Sequence, residues 1–151
     1  MSFTAEVKNE LVSVPEGQTD SALAQLSALI RVSGTLSVQG PGKFAVRIVT
    51  ETGTVARTVV SSSRRLFDLD TSIEYRRSIM HKKRNYLLEI SNQDSLAGAL
   101  SALGIYIPGE GLVRGIPKNI VRTKQTQRAF LRGAFMAGGF VADPRKDFHL
   151  E

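Results

Sequence analysis

Two nine-residue stretches, far apart in the chain, constrain its fold more than any other feature. Leu26–Gly34 reads LSALIRVSG and Leu131–Gly139 reads LRGAFMAGG. Each starts with leucine, carries small residues near its third and seventh places, is apolar at its fourth and fifth, and ends in glycine before an apolar stretch. Internal repetition of this kind points to two copies of one structural unit. Two unrelated amphipathic helices with glycine stops would share part of the pattern. The small residue at the third place of both copies, Ala28 and Gly133, favours a repeat.

The rest of the chain fits around these two helices. Phe3, Val7 and Leu11 recur at helical spacing, with Ser2 or Thr4 as the cap and Pro15-Glu16-Gly17 as the stop. Asp20 or Ser21 is the expected cap of the next helix, which Gly34 closes. Thr35–Val38 and Phe44–Val49 alternate at period two around a Gln39–Gly42 turn, as strands do. Gly53–Phe67 reads as a helix burying Val55, Val59, Leu66 and Phe67. Ser72–Arg77 and Tyr86–Ser91 suggest a second hairpin with a basic tip. A short helix, Leu96–Leu103, is capped by Asp94 or Ser95 and ended by Gly104. Pro108, Gly109, Gly111, Gly115 and Pro117 make the following stretch a loop-rich connector. The last helix starts near Gln127. The expected fold class is therefore α+β, with an antiparallel sheet covered on one face by helices.

Composition narrows the function. Apolar residues make up 42%, enough for a sizeable core, and no apolar run approaches the ~20 residues of a membrane span. The N-terminus carries an early acid and no uninterrupted apolar stretch, unlike a signal peptide. The absence of cysteine excludes disulfides and thiolate zinc sites and is compatible with a reducing cytoplasm. The two histidines, His81 and His149, are too far apart in sequence to suggest a catalytic or metal cluster. Net charge is +6 and unevenly placed. Tyr75–Leu88 holds Arg76, Arg77, Lys82, Lys83 and Arg84 with no acid, and Gly111–Arg132 holds six cations with none. Such clustering favours a polyanion, and nucleic acid over membrane, since no basic helix carries a bulky apolar face. A merely solvated basic surface is the alternative.

The two nonapeptides resemble degenerate copies of the LAGLIDADG motif, and the element order resembles one half of that homing-endonuclease fold. More narrowly, SFTAEVKNEL at Ser2–Leu11, LSALIRVSGTL at Leu26–Leu36 and AFLRGAF at Ala129–Phe135, with HLE downstream, resemble the WhiA family. Those proteins are sporulation and cell-division regulators of Gram-positive bacteria. The resemblance implies an N-terminal helix over 1–19, a first repeat over 20–107, a basic connector over 108–126 and the start of a truncated second repeat over 127–151. The rest of that repeat and a C-terminal helix-turn-helix are expected in a longer protein, pseudo-dimeric within one chain. It also implies that the motif helices pack side by side, their backbones close enough to require small residues. Ala28, Gly133 and Ala137 suit that contact, and Val32 is bulkier than ideal.

In the active nucleases the eighth place of each motif is an acid that brings divalent metal to the scissile phosphates. Here those places are Ser33 and Gly138, and the sixth places are Arg31 and Met136. The nearest acids, Asp20 and Asp143, lie off the helix ends. No catalysis, cofactor or metal is expected. Double-stranded DNA is the expected partner, met by the sheet as β-ribbons in the major groove. Lys43, Arg47 and Arg76 project away from the helices if Phe44, Val46 and Ile48 face them, though Ala45 and Val49 share the face of Lys43 and Arg47. Arg77, Lys82, Lys83 and Arg84 at the second hairpin, and Arg122, Lys124 and Arg128 near the connector, complete the expected contacts. A cytoplasmic, nucleoid-associated transcriptional regulator follows. The alternative is a protein-interaction module touching RNA polymerase or another regulator.

Overall fold

A computed structural model describes residues 2–15, 17–77, 80, 84–145 and 151. Its elements run α1 (Phe3–Ser13), α2 (Thr19–Ser33), β1 (Gly34–Gly40), β2 (Lys43–Thr50), α3 (Gly53–Phe67), β3 (Ser72–Arg77) and β4 (Arg84–Ile90). There follow α4 (Leu96–Ala102), β5 (Tyr106–Ile107), β6 (Gly111–Leu112) and α5 (Lys124–Gly138). The main sheet has the order β1-β2-β4-β3, antiparallel throughout, and β5 and β6 form a separate small hairpin. The class is α+β, as the alternation of helical and strand periods predicts.

Period-two alternation on β2 and β4 decides which face is covered. Phe44, Val46, Ile48, Leu88 and Ile90 are buried against Leu26, Leu29 and Ile30 of α2, Val55 and Val59 of α3, and Leu96 and Leu100 of α4. Directly opposed pairs share a face, so the other side of the sheet carries Arg47 beside Glu89 and Val49 beside Leu87. Among the described residues no helix lies over that side. Helix α1 buries no residue fully but is tied to the far end of the chain, where Thr4 Oγ1 both donates to and accepts from the Val141 backbone (2.9 and 3.2 Å). Phe140 and Glu151 exchange backbone hydrogen bonds in both directions (3.1 and 2.8 Å).

Several helix ends differ from what local signals predict. Helix α2 starts at Thr19 with Gln18 at the cap and no side-chain cap bond, so neither Asp20 nor Ser21 caps it. Both lie inside the first turn, and the Ser21 amide donates to the Gln18 carbonyl (3.0 Å). Ser95 holds the cap position of α4 but makes no cap bond. Helix α5 begins at Lys124, ahead of Gln127, because Thr123 and Thr126 form a reciprocal capping box. The connector is more than a loop, since its β6 pairs with β5 just ahead of it. Its Ile120 is buried among Ala24, Ala28, Ala129 and Phe130 between α2 and α5. Arg84, expected at a hairpin tip, lies on β4 opposite Arg77.

Candidate nucleic-acid interface

The two motif helices lie side by side and run the same way. A Cβ built on Gly133 would overlap the Gln25 carbonyl oxygen and sit 3.1 Å from Ala28 Cβ, so this crossing leaves no room for a side chain. Ala28 is fully buried there. One turn further on, a Cβ at Gly138 would stand 2.8 Å from Val32 Cγ1; the bulk of Val32 is accommodated because position 138 has no side chain. Ala137 is half-buried against the main core. The terminal glycines match as well. Gly34 and Gly139 cap their helices in extended conformations (φ −96° and −73°), and a Cβ at either would strike the residue four places back, Ile30 or Phe135. Glycine is needed at these ends for close approach, not for the left-handed turn usual at helix C-termini.

This packing brings the two eighth places to the same end of the helix pair. Ser33 is half-buried and its hydroxyl donates to the Leu29 carbonyl (2.7 Å), while Gly138 has nothing to offer. Asp20 sits at the opposite end of α2, about 20 Å away at 1.5 Å per residue. Asp143 accepts from Arg145 Nε and Nη2 (2.9 and 2.8 Å). The sixth place of the first motif is structural. Arg31 donates from Nη2 to the Gly104 carbonyl (2.5 Å) and from Nη1 to that of Val113 (3.4 Å). Burial pulls its guanidinium below its ordinary value and leaves Nε without a partner. Only the fold reveals this role, since both acceptors are backbone atoms from distant segments.

The uncovered sheet face carries Lys43, Arg47 and Arg76, all exposed, as the alternation predicts. It is not a bare cationic surface. Arg47 Nε pairs with Glu89 across the strand (3.2 Å), and Arg76 binds Glu74 through Nε and Nη2 (3.0 and 3.2 Å). Hydrogen bonds and charge from Arg76 hold the Glu74 carboxyl below its usual range. Arg77 and Arg84 stand on the other face, directly opposite one another. Such like-charge cross-strand pairs are unfavourable without an anion or solvent between them. Lys82 and Lys83 lie outside the described residues.

The remaining cations gather elsewhere. Arg122, Lys124 and Arg128 are exposed around the first turns of α5, and among the described residues none of them forms an ion pair. They occupy the end of α5 away from Gly138, so the structure separates them from the helix-pair end that holds Ser33. No helix among the described residues is long and apolar enough to cross a membrane.

Comparison with known proteins places this geometry. The model of the WhiA N-terminal LAGLIDADG-like domain matches residues 19–106, and that of the WhiA LAGLIDADG-like domain matches residues 127–151. The probable cell division protein WhiA of Clostridium novyi (strain NT) is 35% identical over 155 residues, covering all of this chain and 49% of that protein. Its counterpart in Desulforudis audaxviator (strain MP104C) is 39% identical over 152 residues, covering all of this chain and 48% of that protein. The chain thus spans about half the length of the curated relatives it matches. Among solved structures, the N-terminal LAGLIDADG domain of DUF199/WhiA superposes with a TM-score of 0.70 at 23% identity, covering 99% of this chain and 64% of that one. A variant of I-DmoI in complex with its nicked target DNA superposes at 0.52 with 17% identity, over 81% of this chain and 63% of that one. The fold is LAGLIDADG-like.

Proposed function

The chain belongs to the WhiA family, and from that premise we propose that it is a non-catalytic, duplex-DNA-binding part of a regulator acting in bacterial cell division. One observation carries the DNA contact. Arg122, Lys124 and Arg128 crowd the N-terminal turns of α5 without an acid among them. The helix dipole makes that end positive, so cations there weaken the helix. Among the described residues none of them forms an ion pair, and their placement suits an anionic partner. The family's fold is also that of I-DmoI, which is bound to DNA. Non-catalysis rests on Ser33 and Gly138, which supply no carboxylate at the eighth places. Nucleoid association, a role in sporulation and a helix-turn-helix elsewhere in the protein belong to the same proposal.

The test is binding of a fluorescent duplex by this chain at several salt concentrations. Replacing Arg122, Lys124 and Arg128 with glutamine should weaken all sequences alike and flatten the slope of log affinity against log salt by up to about 0.9 per lost phosphate contact. An unchanged slope would overturn this assignment. A second reading, contact with an acidic surface of RNA polymerase or another regulator, has its own support. The uncovered-face arginines are already ion-paired while the free cations sit elsewhere. It prevails if the intact chain fails to bind duplex at low salt.

A further inference from the structure

A cleft of about 990 Å³ opens between the N-terminus of α1, the β2–α3 turn, the start of β4 and Ala137 of α5. Its size is that of a small-ligand site. Three cations from three different elements line it: Lys8 of α1, Arg57 of α3 and Arg84 of β4. Glu51 is the one carboxylate among the lining residues. Arg57 and Arg84 are exposed, and among the described residues neither forms an ion pair. Arg84 also faces Arg77 across the strands. These charges come together only through the tertiary fold, and among the described lining residues Glu51 alone carries a negative charge.

The surrounding donors suit the same ligand. Thr52 caps α3 without a side-chain cap bond, so the cap residue leaves the first amides of that fifteen-residue helix to other acceptors. The Tyr86 hydroxyl rests against Gly53, where a Cβ would come within 3.0 Å of it; glycine lets the two approach. Burial pulls the Lys8 amine below its ordinary value, with Glu51 opposing the shift. A partly desolvated ammonium gains more from a bound anion than a solvated one does.

We propose that this cleft binds a phosphoryl group through Lys8, Arg57, Arg84 and the first-turn amides of α3. The phosphoryl group can belong to a DNA backbone or to a small phosphorylated molecule. The assignment does not depend on DNA contact by the α5 cations, because it concerns different residues on different elements.

Amide chemical shifts of the chain, followed during titration with inorganic phosphate and separately with a short duplex, test it. Sodium chloride at matched ionic strength is the control. Phosphate should shift the amides of Gly53, Thr54 and Asn85 saturably, where chloride does not. Arg57→Gln and Arg84→Gln, both at exposed positions, should each weaken that response about tenfold, as expected for a lost charge-assisted hydrogen bond. A phosphate response that the duplex does not share identifies a small phosphorylated ligand. The same amides responding to both identify a backbone phosphate. No saturable phosphate response, or one that both variants leave intact, overturns the proposal. If the duplex then still binds through other amides, DNA contact by the α5 cations stands while the cleft assignment falls.

Discussion

Gly133 and Gly98 are both helical glycines with opposite environments. A Cβ at 133 meets the Gln25 backbone carbonyl, which cannot move without shifting α2, whereas a Cβ at 98 meets nothing within 4 Å. Gly133→Ala should therefore cost about 1–3 kcal/mol through overpacking. Gly98→Ala should gain about 0.5–1 kcal/mol by reducing backbone entropy. Thermal melts of the two variants check both, and equal shifts would refute the close crossing. The uncovered sheet face gives a second residue-scale prediction. Glu89 and Glu74 hold Arg47 and Arg76. If that face also meets DNA, Glu74→Gln with Glu89→Gln should tighten duplex binding and steepen its salt dependence by up to about 0.9 per released arginine. Unchanged binding would show that the duplex avoids this face. Alternation puts Lys43 and Arg47 on one face of β2, away from the helices when Phe44, Val46 and Ile48 face them; the β2–β4–β3 register adds Arg76 to it. Their glutamate partners depend on strand register, which one sequence does not display.

At the scale of elements, α5 sets stability against function. Its capping box, Thr123 with Thr126, satisfies orphan amides, but Arg122, Lys124 and Arg128 oppose the dipole at that same end. Replacing the three with glutamine should raise the melting temperature, with Arg122 and Lys124 at the helix start each contributing on the order of 0.3–1 kcal/mol at low salt, while it weakens binding to an anionic partner. A variant that loses both stability and binding would mean that the cations serve the fold. The helical signal of α3 is strong enough to read both of its ends, Gly53 and Phe67, from periodicity. Helix α5 starts three residues ahead of Gln127 because Thr123 and Thr126 cap each other, a signal unlike the usual acidic or glutamine box.

For the whole molecule, the parallel packing of α2 on α5 places Ser33 and Gly138 together at the position where a nuclease of this fold needs two acids. With Mg²⁺ or Mn²⁺ the chain should leave supercoiled and linear DNA intact. Metal-dependent nicking abolished by Asp143→Asn would relocate the chemistry to that carboxylate. Introducing an acid at 138 is opposed by sterics too, since its Cβ would come 2.8 Å from Val32 Cγ1.

The sequence by itself determined the order of α1–α4 and β1–β4, the α+β class, and the presence of Ser33 and Gly138 at the eighth motif places. All of these are written in local periodicity or in residue identity at a motif position. Only the tertiary structure decided how the charges are grouped. Lys8, Arg57 and Arg84 are remote from one another in the chain yet share one cleft, and Arg77 and Arg84 meet across two strands only through their register. Arg31, at the sixth motif place in the sequence, clamps the Gly104 and Val113 carbonyls in the fold. The physical reason is common to these cases. Secondary structure follows from the spacing of side chains along the chain, but the field at a site depends on distances through space, which only the packed fold sets.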